Sequence, residues 1–342
     1  QIILSGFANN EVELAMGYRL FHQYIKFTEL LDQYRKDTLQ FEFELTGILG
    51  KRTKFQQESK AQLSLHVINS DYLRDQNTVA NTTSQGVNSR EISLDEDSHI
   101  LERPNLDSEH EIPPLTDQEL CYLLLEFLAI ADRLASETKD EKRIPLLETV
   151  LGCKPSYSIV TVALYFKSLV EKKNLYTQQR AALQLESILH EYNTAEPNEQ
   201  TFHDRLNCFF TIDHPPLFEI RRESGIQLLY IGSARSAANI FIEHKMWDEL
   251  SLCAQVTKDP QLLYAVLDKE EKTPLILCIL GEFKSDKEML IQAWNQSNEK
   301  LSRAQRSLAR IYLHNFQWNE AIDSFRMALQ MNKLYPDCWF SL

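Results

Sequence analysis

The stretch 302–342, SRAQRSLARIYLHNFQWNEAIDSFRMALQMNKLYPDCWFSL, constrains the chain more than any other. Leu308, Ala309 and Tyr312 fall at helical spacing. Ala321, Phe325 and Ala328 follow after the short turn HNFQW, and Trp339 and Leu342 begin a second copy. Leu308 and Leu342 are 342 − 308 = 34 residues apart. Two antiparallel helices approach closely only where side chains are small, so Ala309 and Ala321 are expected at a helix crossing, with Leu308, Tyr312 and Phe325 filling the space around it. A turn this short keeps the two helices antiparallel.

A helix pair with these positions and a period of about 34 residues is the tetratricopeptide pattern, W-x2-L-G-x2-Y…A-x3-F. Gln305 and Ala309 replace the usual Trp and Gly of the first copy. Because one helix cannot bury its apolar face alone, the second copy is expected to continue past Leu342. The expected fold is all-α, a helical-hairpin superhelix (α-solenoid) with tetratricopeptide repeats at its C-terminal end.

Upstream, the spacing divides the chain into an N-terminal helical region (1–69), an acidic disordered linker (70–114), a helical region (115–215), degenerate repeat-like hairpins (216–301) and the repeat itself (302–342). Residues 10–48 read as helical, and Gly47 and Gly50 as a helix end followed by the basic turn Lys51, Arg52, Lys54. A phosphate-binding loop does not fit there. Only two residues separate the glycines, and Arg52 stands where Ser or Thr must reach magnesium.

From Glu91 to Glu111 eight acidic residues face one Arg, a composition that reads as a solvated linker or an acidic docking arm. Order resumes at Thr116, whose spacing to Glu119 makes a capping box. Further helices are expected after the charged turn SETKDEKR, at 144–152, 156–172, 177–192, 198–210 and 216–231. In the degenerate hairpins Ala237 and Phe241 echo Ala321 and Phe325, Trp247 opens a helix, and Leu280-Gly281 precedes a partner helix carrying Ala293.

The net charge of −13 disfavours a nucleic-acid backbone as the general partner. The six cysteines form no C-x-x-C pair and read as reduced core thiols of a cytoplasmic or nuclear protein. No apolar run suits a membrane span. The histidines lack zinc spacing and a nucleophile in register, so no catalytic residue, metal site or cofactor is expected.

LGKRTKFQ (49–56), AQLSLHV (61–67), PPLTDQELC (113–121), SYSIVTVALYFKSLVE (156–171), MWDEL (246–250), RAQRSLA (303–309) and YPDCWFSL (335–342) together resemble the eukaryotic tetratricopeptide repeat protein 27 family. That family includes a fungal member named for cell-wall maintenance. The resemblance implies a non-enzymatic helical scaffold linked to chaperone-assisted assembly of protein complexes, with more helices before Gln1 and more repeats after Leu342. An RNA-associated helical-repeat protein is the alternative.

Arg303, Arg306 and Arg310 lie at i, i+3 and i+7 on the first helix of the repeat, hence on one face. By register, Arg306 and Arg310 occupy positions from which clamp-type repeats bind a peptide carboxylate, although such clamps place Asn at the second position. Arg is suited to bidentate carboxylate binding. The opposing reading is a solvated basic face or intramolecular ion pairs.

Overall fold

The computed structural model describes residues 10–74, 91–94, 98–107, 113–133, 138–153, 155–194, 205–267 and 272–342. The chain divides into two compact units, 1–227 and 228–342. The elements are α1 (Asn10–Leu20), α2 (Tyr24–Tyr34), β1 (Glu42–Thr53), β2 (Lys60–Asn69), α3 (Asp71–Arg74), β3 (Ile100–Leu106), α4 (Asp117–Arg133), α5 (Thr138–Gly152), α6 (Tyr157–Glu171), α7 (Gln178–Thr194), α8 (Leu217–Tyr230), α9 (Ala234–Glu243), α10 (Trp247–Thr257), α11 (Pro260–Leu267), α12 (Pro274–Lys284), α13 (Lys287–Gln296), α14 (Ser302–His314), α15 (Trp318–Met331) and α16 (Pro336–Ser341). The fold is a helical repeat fold carrying one small sheet.

One turn recurs in both units. At its end the first helix of a hairpin closes with an N–H to C=O bond across five residues: Gln23 to Tyr18 (2.9 Å), Met246 to Phe241 (2.8 Å), Asp286 to Gly281 (2.9 Å) and Gln317 to Tyr312 (2.9 Å). The donor follows a left-handed residue each time, His22, Lys245, Ser285 and Phe316. This is the Schellman arrangement, which satisfies carbonyls that a helix end leaves open. Around each accepting residue the same three places are buried: three before it, nine after and thirteen after. They are Ala15, Phe27 and Leu31; Ala238, Leu250 and Ala254; Cys278, Leu290 and Trp294; and Ala309, Ala321 and Phe325. The repeat is therefore a rule about where a helix pair nests, and its side chains vary from Ala to Trp.

In the first unit the core joins Phe27 and Leu31 of α2, Leu120, Leu124 and Phe127 of α4, Leu146 and Val150 of α5, Ile159 and Ala163 of α6, and Leu185 of α7. The capping box at Thr116 is formed. Thr116 N donates to Glu119 Oε2 (2.8 Å) and Glu119 N donates to Thr116 Oγ1 (3.4 Å). The same buried carboxylate also accepts from Asp71 N at 2.9 Å, tying the start of α3 to the start of α4.

Helical structure over 10–48 stops at Leu39, where a π-helical turn (Arg35–Leu39) ends α2. From Glu42 the chain is strand, contrary to the helical expectation. β1 lies between antiparallel β2 and β3 in the order β2-β1-β3. The alternation in FEFEL and LSLHV has period two, and the register sets Leu45 opposite Leu65 and Phe43 opposite Val67, with Leu65 and Val67 in the core. Gly50 is a strand residue and not a helix cap. A Cβ there would meet Asn105 O at 2.8 Å, so the missing side chain is what lets β3 approach β1.

The linker expectation fails at 91–94 and 100–106. Glu91 pairs with Lys167 and, at 3.5 Å, with Arg103, while Ile92 N donates to Gln184 Oε1 at 2.7 Å. Counting charges inside the segment missed Lys167, the cation on α6. The rest of the acidic stretch (75–90, 95–97, 108–112) lies outside the described residues.

Two helix boundaries also differ. α5 begins at Thr138 and runs through Pro145, absorbing much of the expected charged turn. The helix expected at 198–210 is absent from its described part, where only 205–206 are helical before turns through 213.

In the second unit α12, α13 and α14 share a cluster of Leu277, Cys278, Leu290, Ala293, Trp294, Ala304 and Leu308. Ala309, Ala321, Phe325, Leu329 and Cys338 form the next one, between α14, α15 and α16. Ala237 and Phe241 of α9 are buried, as is Ala328 of α15.

Candidate interaction groove

Of the repeat residues, Leu308, Ala309, Ala321, Phe325 and Ala328 are buried, and Tyr312 is partly buried against both neighbouring clusters. Gln305, standing where the repeat usually has Trp, is itself buried. Trp339 and Leu342, in the second copy, are 58% and 45% exposed. In α16 Cys338 is buried, and Trp339 Nε1 donates to Lys333 O at 3.0 Å.

α14 lines a cleft with a volume near 810 Å³. Its walls carry Arg303, Arg306, Ser307, Arg310, Ile311, His314 and Asn315 of α14 and its cap, with Gln255, Glu282, Ser285 and Tyr335 from neighbouring elements. The helical spacing of the three arginines does bring them to one groove. Their electrostatic situations differ.

Arg303 is committed. Its Nε and Nη2 donate to the two oxygens of Glu282 at 2.9 and 2.8 Å, and Nη1 donates to Asp248. Burial alone would lower the pKa of this guanidinium, but the two carboxylates outweigh burial and keep it charged. Ser307 Oγ adds a bond to Glu282 at 2.5 Å, so α14, α12 and α10 meet at one satisfied ion cluster.

Arg306 and Arg310 share a single carboxylate. Asp337 Oδ2 lies 3.1 Å from Arg306 Nε and 2.6 Å from Arg310 Nη2. Only the second contact is a directed hydrogen bond; Arg306 Nε is buried and its N–H is not aimed at the oxygen. The Arg306 guanidinium also lies over the Tyr335 ring, 4.7 Å from its centroid. Burial pushes the Asp337 carboxyl up, but the Arg310 bond and the charges of both arginines together outweigh it and hold it below the usual carboxylate range. Glu282 and Tyr335, which line the cleft, and Asp248 and Asp337, which pair with its arginines, were missed because all come from outside α14, at no fixed spacing from it. Opposite charge near the helix was the signal, and many acidic residues offered it.

Among the described residues no three His, Cys, Asp or Glu side chains are gathered as a metal site would need, and no helix is long and apolar enough to cross a membrane.

The chain is 32% identical to a tetratricopeptide repeat protein 27 homolog of Dictyostelium discoideum over 97% of its length, which is 39% of that relative. The chain belongs to the tetratricopeptide repeat protein 27 family. It is also 26% identical to a TPR repeat-containing protein of Schizosaccharomyces pombe (89% of this chain, 43% of the relative). It is 22% identical to the "Essential for maintenance of the cell wall protein 1" of Saccharomyces cerevisiae (82% of this chain, 37% of the relative). The chain thus spans about two fifths of the length of these curated relatives. No family model and no solved structure matches it.

Proposed function

We propose that this chain is a non-catalytic protein–protein interaction scaffold of the tetratricopeptide repeat protein 27 family, and that it acts as a chaperone-type adaptor in the assembly of protein complexes. The observation that carries the reading is the α14 cleft, in which Arg306 and Arg310 have one carboxylate between them. Two guanidiniums with one shared anion suit the capture of a further carboxylate from another polypeptide. Support also comes from the repeat names that the relatives carry and from the recurring hairpin turn. Ser307, one of the groove hydroxyls, donates to Glu282, whose two oxygens are already held by the Arg303 fork. The free thiols of Cys121, Cys253 and Cys278 fit work in a reducing compartment, the cytoplasm or nucleus.

A photo-crosslinking residue at His314, an exposed lining position, tests the surface, with Met327 on α15 as control. Co-purified polypeptide is expected to crosslink at 314 and not at 327. Equal yields at the two sites, or none at 314, would remove the groove from the account.

A further inference from the structure

We propose that Asp337 is an internal stand-in for a ligand carboxylate, holding Arg306 and Arg310 in place until an acidic polypeptide segment takes them over. The inference rests on the α14 cleft being the binding surface, and it names both the partner's chemistry and what the partner displaces.

Three observations point to it. First, both arginines reach the same oxygen of Asp337, at 3.1 and 2.6 Å, so one anion answers two cations. Arg303, on the same face, shows what full satisfaction looks like: two carboxylates and a bidentate fork. Second, Arg306 Nε is a buried donor without a directed acceptor. A buried N–H in that condition is unusual in a relaxed protein, and an incoming carboxylate oxygen would complete it. Third, Arg306 is already oriented by its position over Tyr335. Asp337 is 39% exposed. Exposed ion pairs contribute little, so exchanging Asp337 for a ligand carboxylate costs little.

The occupant this favours is a segment with neighbouring Asp or Glu residues. One carboxylate would take the Arg310 fork, and its neighbour the free Arg306 donor. Charge complementarity decides for an acidic polypeptide over a nucleic acid, because the chain as a whole carries −13 and repels a long polyanion outside this patch.

The test uses fluorescein-labelled hexaglutamate and fluorescence anisotropy on the chain, with circular dichroism verifying the fold of every variant. Asp337→Asn and Asp337→Ala are both expected to bind the probe about three- to fivefold more tightly than the wild type, the range an exposed ion pair supplies. Arg310→Glu is expected to abolish binding, and added salt to shrink the gain. If the wild type binds and neither Asp337 variant binds more tightly, the stand-in is refuted while the groove survives. If the wild type does not bind, or Arg310→Glu binds equally well, groove and stand-in fall together. Tighter binding of labelled oligouridylate than of hexaglutamate would overturn the choice of partner.

Discussion

Replacing Gly281 with alanine should destabilise the second unit, against the preference of the helix it sits in. Gly281 lies inside α12, where alanine is favoured over glycine by about 1 kcal/mol. A Cβ at this place would stand 2.9 Å from Leu290 Cγ, 3.0 Å from its Cδ2 and 3.3 Å from Asp286 O. Leu290 is fully buried, and Asp286 O is backbone at the turn, so neither yields cheaply. Overpacking of this kind costs about 1–3 kcal/mol. The net expectation is a loss of about 1 kcal/mol.

Leu290→Ala alone should cost about 2–5 kcal/mol through the cavity it leaves. In the double variant the new methyl has room and fills part of that cavity. The pair should therefore be coupled, with the double change milder than the sum by about 1 kcal/mol or more. Urea unfolding followed by tryptophan fluorescence reads this unit alone, since Trp247, Trp294, Trp318 and Trp339 all fall within 228–342. If Gly281→Ala stabilises by the propensity value and the two changes add, then α12 and α13 do not nest through Gly281, and the packing argument is wrong.

Glu119→Ala should lower the stability of the first unit by about 2–3 kcal/mol in calorimetry. It removes a cap and leaves the Thr116 and Asp71 N–H groups without their acceptor; a loss under about 0.5 kcal/mol, the scale of ordinary surface changes, would refute that role. Glu148, lining a second cavity of about 170 Å³, has its carboxyl pushed up by burial, which the charges of Lys167, Arg52 and Arg103 only partly offset. A carboxyl raised in the folded state binds more protons there than in the unfolded chain. Its presence therefore lowers stability as pH rises from the ordinary glutamate value through the raised one. Glu148→Gln should accordingly raise the melting temperature at neutral pH, with the gain fading on acidification. A gain that does not depend on pH, or a loss, would contradict the assignment.

The repeat was legible in the sequence where small and large residues alternate at fixed places. Ala309, Ala321 and Phe325 announce a nested pair because few side chains fit a helix crossing. The capping box at Thr116 and Glu119 was legible too, since both partners lie within one turn. The sheet was harder to read. β1 carries Gly47 and Gly50, which look like helix punctuation until β3, about fifty residues later in the chain, is known to run beside Gly50. The arginines could be placed on one face from spacing alone. Their different fates could not, because Asp248, Glu282 and Asp337 arrive from α10, α12 and α16.

The central claim is that polypeptides are held at the Arg306 and Arg310 face of α14. Recovery of partners on affinity purification of the full-length protein, wild type against Arg306→Glu, measures it most directly. The account predicts that the variant loses its partners while circular dichroism shows its fold intact; an unchanged set of partners on an intact fold would contradict it.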